Sequence, residues 1–105
     1  MKTLEEVKID MENDIKYLFS LDIETIDKLL DDPVLKNGLF KRARMYNDLA
    51  MDAPKPLPQI FLRLYMSKMT QKEVAKELGI SQSYVSRLHN KLLIYFVDKI
   101  NEMEK

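Results

Sequence analysis

The sequence predicts an all-α protein, a small helical bundle with a C-terminal helix-turn-helix and a long last helix. The 105 residues include only 2 glycines and 4 prolines, so few positions interrupt a helix. Apolar residues recur at spacings of three and four along most of the chain. Between Thr70 and Leu92, capping residues and a glycine divide this pattern into two helices joined by a short turn.

Three helices are predicted in the N-terminal half. The first covers residues 4–19 and follows a capping box formed by Thr3 and Glu6. Its outward faces are acidic, which indicates either a solvated surface or one that covers a basic partner or the basic half of the chain. A shorter helix is predicted over residues 23–30, and a third over residues 33–50, because proline suits a first helical turn.

A proline-rich stretch, residues 53–58, separates two predicted modules. Three prolines within five residues oppose helix formation and favour an extended, semi-rigid connection. We therefore divide the chain into an acidic helical module (1–52) and a helix-turn-helix module (59–105). Residues 1–32 carry four lysines and ten acids, whereas the remainder carries thirteen basic residues and seven acids. A net charge of +0 thus conceals a basic C-terminal half, which is compatible with nucleic-acid binding.

Each position of the helix-turn-helix pattern has a structural task. Thr70 and Glu73 form a capping box, and Gly79 supplies the positive φ that ends the first helix. Ser81 is the N-cap of the second helix. The inward stripe of that helix consists of Val85, Leu88 and Leu92.

The segments around this pattern complete the predicted fold. A short helix over residues 59–67 precedes it, and the last helix runs from Gln82 to about residue 103. Residues 92–97 are apolar around most of the helix circumference, so they must be covered on several sides. Either the N-terminal helices pack onto them, or a second copy of the chain forms a homodimer through this helix.

Several classes of function are excluded by composition. The absence of cysteine excludes disulfides and thiolate metal sites, and the single histidine, His89, cannot build a metal site alone. We expect His89 to be solvated or to flank the helix, with a phosphate contact as the alternative. No catalytic constellation is visible, so neither an enzyme nor a cofactor is expected. Without a secretory signal or an apolar run that spans a bilayer, a cytoplasmic protein with no membrane partner is predicted.

Residues 57–93 resemble the fourth conserved region of bacterial RNA polymerase sigma factors, of the sigma-70 family and especially of the sporulation type. The resemblance rests on LPQIFLRLY, which begins at Leu57, on MTQKEVAKELGISQ, which begins at Met69, and on YVSRL, which begins at Tyr84. In that family, this region reads a promoter element in the major groove of double-stranded DNA and contacts RNA polymerase. The resemblance therefore implies the same two partners here.

The resemblance also implies which residues face DNA. Those expected at base edges are Gln82, Ser83, Ser86 and Arg87. Those expected nearer the DNA backbone are Thr70, Gln71, Tyr84, Asn90 and Lys91. An upstream basic cluster consists of Lys41, Arg42 and Arg44. We expect it either to be a solubilising surface or to add contacts with DNA phosphates.

Residues 1–52 are shorter than the region with which sigma factors grip polymerase and melt DNA, and they contain no aromatic-rich basic stretch. We therefore interpret the chain as a sequence-specific transcription regulator that joins a sigma-like reader to an unrelated acidic module. Such a layout fits a phage or mobile-element regulator or one half of a split sigma factor. The alternative is a module that binds RNA polymerase or a sigma-interacting protein and has little DNA affinity of its own.

Overall fold

The computed structural model describes residues 1–20, 24, 25, 28, 31 and 41–103. Its helices are α1 (Leu4–Ser20), α2 (Lys41–Asp52), α3 (Leu57–Phe61), α4 (Gln71–Leu78) and α5 (Gln82–Met103), and a π-helix (Leu62–Met66) continues α3. The predicted all-α bundle and its long last helix are confirmed. The helix predicted over residues 23–30 and the first part of the one predicted over 33–50 lie outside the described residues, except for a few isolated positions.

The start of α1 is held by its cap and by the end of α5. The backbone N–H of Glu6 donates to the hydroxyl of Thr3 at 3.2 Å, as predicted. The carboxylate of Glu6 accepts a hydrogen bond from that same hydroxyl at 3.1 Å. The backbone N–H of Lys2 donates to the side-chain oxygen of Asn101 at 2.9 Å, and the amide nitrogen of Asn101 donates back to the carbonyl of Lys2 at 3.1 Å. The first residues of the chain therefore lie beside the C-terminal part of α5.

Residues 53–58 form a turn that is anchored in the core by Ala53 and Leu57, so the expected extended connection is wrong. The backbone N–H of Leu57 donates to the carbonyl of Pro54 at 2.9 Å, which closes the turn. Ala53 and Leu57 are each only 6% exposed, because both pack into the core. Pro58 lies in the first turn of α3, where a missing N–H costs no helical hydrogen bond. The helix therefore begins at Leu57, two residues before its predicted start.

One hydrophobic core joins the two predicted modules. Phe96 of α5 contacts Phe61 of α3 and Tyr46 of α2, with ring centroids 5.9 and 6.0 Å apart, respectively. Phe61 and Phe96 are both completely buried. Helix α1 adds three buried residues to the same cluster: Val7, Met11 and Ile15. The division into modules stays a prediction, and residues on both sides of the 53–58 turn pack into this shared core.

The apolar segment of α5 is covered by helices of its own chain. Leu92, Leu93 and Phe96 are at most 1% exposed. Helix α5 packs against α1, α2, α3 and α4. The expectation of intramolecular packing is therefore confirmed, and nothing in the described residues supports a homodimer through this helix.

The turn between α4 and α5 depends on the backbone conformation of Gly79. Its φ of 69° lies in the left-handed region. The N–H groups of Gly79 and Ile80 both donate to the carbonyl of Ala75, which ends α4. A Cβ atom added at Gly79 would meet nothing within 4 Å. The requirement for glycine is thus conformational and not steric.

We predict that Gly79→Ala lowers the free energy of unfolding by about 1–2 kcal/mol, because an L side chain is strained in the left-handed region. Gly79→Asn should cost less, since asparagine adopts this conformation more readily. Chemical denaturation measures both values. Equal losses for the two variants, or no loss for Gly79→Ala, would contradict this account of the turn.

Candidate nucleic-acid interface

The helix-turn-helix forms at the predicted residues. At the start of α4, the N–H of Glu73 donates to the hydroxyl of Thr70 at 3.1 Å, and the N–H of Thr70 donates to the carboxylate of Glu73 at 3.0 Å. The backbone hydrogen bond from Thr70, followed by the side-chain hydrogen bond, lowers the pKa of Glu73. At the start of α5, the N–H of Tyr84 donates to the hydroxyl of Ser81 at 3.1 Å. Buried side chains hold α4 and α5 together: Val74, Ala75, Val85 and Leu88.

One side of α5 is exposed to solvent from its first turn. We call this side the recognition face, which consists of Gln82, Ser83, Ser86, Arg87 and Asn90. These residues recur at helical spacing on the side opposite the buried stripe. Tyr84 and Lys91 flank the recognition face and are also exposed, whereas Thr70 and Gln71 lie at the start of the adjoining α4. The structure therefore places all four residues expected to read bases on one surface.

The recognition face lacks acidic side chains. No aspartate or glutamate lies between Glu77 and Asp98 in the sequence. Exposed serine, glutamine, asparagine and arginine side chains supply hydrogen-bond donors there instead. Such a surface can approach polyanionic DNA without like-charge repulsion.

Arg87 differs from the other three arginines of the chain. The others form ion pairs: Arg42 with Asp14 at 3.2 Å, Arg44 with Asp48 at 3.8 Å, and Arg63 with Glu77 at 2.9 Å. Arg87 has no acidic partner among the described residues. Its guanidinium carbon instead lies 5.5 Å from the centroid of the Tyr84 ring. The N–H groups of Arg87 therefore remain available to a ligand.

Comparison with known proteins finds two matches that include this part of the chain. Residues 58–93 match the profile of the family described as Sigma-70, region 4. The chain is also 33% identical over 94 residues to the RNA polymerase sigma-K factor of Bacillus subtilis (strain 168). The helix-turn-helix of this chain is therefore similar to sigma-70 region 4 over residues 58–93. No solved structure gives a significant match.

The similarity to the sigma-K factor extends beyond region 4. The match covers 89% of this chain and 31% of that protein, so the chain spans about a third of the length of this relative. Residues 53–105 are fewer than the 94 matched, so the match includes much of the acidic N-terminal half. The expectation that residues 1–52 are unrelated to sigma factors is therefore wrong.

The basic residues upstream of region 4 lie apart from the recognition face. Lys41 and Arg44 lie beside Met103, at the far end of α5. At 1.5 Å per residue, that end is about 30 Å along the helix from Gln82. Arg42 pairs with an aspartate of α1, which agrees with the expectation that the acidic helix covers part of the basic half. The structure thus does not bring the upstream cluster and the recognition face together.

Within residues 58–93, His89 is half-buried, so of the two positions expected for it, solvated or flanking the helix, the solvated one is wrong. Its Nε2 shares a hydrogen bond with the hydroxyl of Tyr65, and the two ring centroids lie 5.6 Å apart. The pKa of His89 is lowered, mainly by burial and to a smaller extent by the charge of Lys8. The pKa of Tyr65 is raised, mainly by burial and to a smaller extent by the charge of Glu12. The contact ties α5 to the π-helix. The sequence does contain a signal for the half-buried position of His89. His89 follows Val85 by four residues, and this spacing places it beside the buried stripe of the helix.

We predict that the stability of the protein falls as the pH decreases from about 7.5 to about 5.5. The pKa of His89 in the folded state lies below its ordinary value of 6.5, so the unfolded chain binds the proton more readily. The stabilisation is complete above pH 6.5 and is lost as the pH falls through the lower folded-state pKa.

Chemical denaturation at several pH values tests whether His89 causes this loss of stability, with His89→Gln as the matched control. Glutamine can still bond to Tyr65 but does not titrate, so the stability of the variant should change less over this pH range. The same pH dependence in both proteins would show that His89 is not responsible.

Proposed function

We propose that the protein is a sequence-specific, DNA-binding transcription regulator whose region 4 reads a promoter element in the major groove. Arg87 carries this proposal, because it is exposed on an acid-free face and has no acidic partner in the described part of the chain. Its N–H donors match the O6 and N7 acceptors of guanine, the commonest specific contact between proteins and DNA. The match of this segment to Sigma-70 region 4 supports the same role.

The recognition face enters the major groove in this proposal, and all of its residues except Asn90 contact base edges. The proposed base-reading residues are Gln82, Ser83, Ser86 and Arg87. Glutamine can bond adenine through two atoms, and serine can bond to any base. A groove about 12 Å wide admits a helix, and the first three turns of α5 carry this entire set.

A second group of residues would hold the DNA backbone. This group consists of Thr70, Gln71, Tyr84, Asn90 and Lys91, whose hydroxyl, amide and ammonium groups bond to phosphate and sugar oxygens. Lys41 and Arg44 would reach phosphates only if the DNA continued about 30 Å along α5, toward Met103. We therefore leave the upstream cluster out of the central interface.

RNA polymerase is the second proposed partner. The Bacillus subtilis relative is named as an RNA polymerase sigma factor, and the match includes residues on both sides of the 53–58 turn. This role implies action in the cytoplasm, where polymerase and promoter meet. An origin in a phage or a mobile element stays a prediction.

A second candidate function is a polymerase-binding or sigma-binding module with little DNA affinity. It is favoured by the outward side of α1, where Glu5, Glu6 and Glu12 are exposed and suited to a basic partner. Capture of polymerase subunits without any retardation of promoter fragments in a gel would select this alternative. Retardation of DNA by the isolated protein would exclude it.

We predict that Arg87→Ala and Lys91→Ala have different effects on DNA binding. The probe is a duplex that the wild-type protein enriches from a random pool, together with its single-base-pair variants. Arg87→Ala should lower the preference for the enriched duplex by roughly tenfold or more, because a bidentate base contact is lost. Lys91→Ala should weaken binding to all duplexes alike and reduce the salt slope by about 1, because one phosphate contact is lost.

Lys99→Ala is the control, because Lys99 lies on the same helix but away from the recognition face. The affinity of the Lys99→Ala variant for DNA, and the salt dependence of its binding, should match those of the wild-type protein. Equal losses on specific and random duplexes for Arg87→Ala would contradict the base-reading role of this residue.

A further inference from the structure

The geometry points to Tyr84 as a positioning residue that determines specificity, because its ring holds the guanidinium of Arg87 for base reading. This inference rests on the proposed function and deepens it. The hydroxyl of Tyr84 is one of the proposed backbone contacts, whereas the inference concerns the ring.

The contact is built from two neighbouring turns of α5. Tyr84 and Arg87 are three residues apart, a spacing that places side chains on the same side of a helix. The guanidinium carbon lies 5.5 Å from the ring centroid, within the range of a cation–π interaction. The backbone of Tyr84 is held in turn by the hydroxyl of Ser81. The N-cap thus fixes the backbone from which the ring projects, and the ring lies against the arginine.

An aromatic partner keeps Arg87 functional in a way that an acidic partner would not. The donors of a guanidinium lie in its plane, so a ring against its face leaves them free to bond. A carboxylate would occupy them. Arg63 shows this second case, because its N–H groups already donate to Glu77 and Gln59.

Restraint of Arg87 should affect specificity more than affinity. A free arginine side chain samples many rotamers, and ordering it on binding costs affinity for the one base pair that requires a fixed fork. A free arginine can also reach phosphates, which are present at every sequence. Removal of the ring therefore favours sequence-independent contacts over the specific one.

The test compares three variants on the enriched duplex and its single-base-pair variants. Tyr84→Leu removes the ring, and Tyr84→Phe removes only the hydroxyl. Tyr95→Leu is the matched control, because it removes a similar contact with Lys99, whose Nζ lies 5.6 Å from the ring centroid in the core-packed part of α5. Circular dichroism confirms that each variant is folded.

We expect Tyr84→Leu to lower discrimination at one base pair by about two- to fivefold, the equivalent of an exposed cation–π contact. Tyr84→Phe should weaken binding to all duplexes alike, because it loses only the proposed backbone contact of the hydroxyl, so the ratio between duplexes is kept. Tyr95→Leu should bind with the wild-type discrimination. In an Arg87→Ala background, Tyr84→Leu should cause no further loss of discrimination between duplexes, because the ring acts on specificity only through Arg87.

Three results would overturn the inference. Wild-type discrimination in Tyr84→Leu, with discrimination lost in Arg87→Ala, would overturn the inference alone and leave the proposed function intact. Equal, sequence-independent losses in Tyr84→Leu and Tyr84→Phe would reduce Tyr84 to a backbone contact through its hydroxyl. A wild-type protein without any sequence preference would overturn the proposed function together with this inference.

Discussion

The edge-to-face contact between Phe61 and Phe96 is the interaction on which the position of the recognition face depends. Both rings are completely buried, and their planes meet at 89°. Phe96 also contacts Tyr46, and Phe61 contacts Tyr65, which in turn meets His89. A continuous series of rings therefore runs from α2 through the core to the recognition half of α5. Burial of the apolar side of α5 along its length holds the opposite, polar side of its first turns toward solvent in a fixed orientation.

The long last helix thus combines two roles along its length. Its C-terminal half supplies Leu93 and Phe96 to the core, and its N-terminal half buries Val85 and Leu88 on one side and presents polar side chains to solvent on the other. The arginines divide in the same way. Three are engaged in ion pairs, and Arg87 is held by an aromatic ring that leaves its donors free. The helix that stabilises the fold is therefore also the one that carries the proposed chemistry.

Sequence reasoning predicted those features that depend on neighbouring residues. The Thr70 capping box, the left-handed Gly79 and the Ser81 cap follow from local hydrogen bonds and from the steric limits on φ. The turn at 53–58 was mispredicted, because prolines restrict the backbone but do not show whether adjacent side chains are buried. The bond between Tyr65 and His89 joins residues 24 positions apart, so no local pattern specifies it.

The most direct test is a titration of isotope-labelled protein with the enriched duplex, followed through backbone amide chemical shifts. This account predicts the largest changes at residues 70–71 and 82–91, and small changes at Lys41 and Arg44. The core residues around Phe96 should keep their shifts, because the helix binds as a preformed unit. The largest changes along α1 or α2, with residues 82–91 unaffected, would contradict the assignment of this face to DNA.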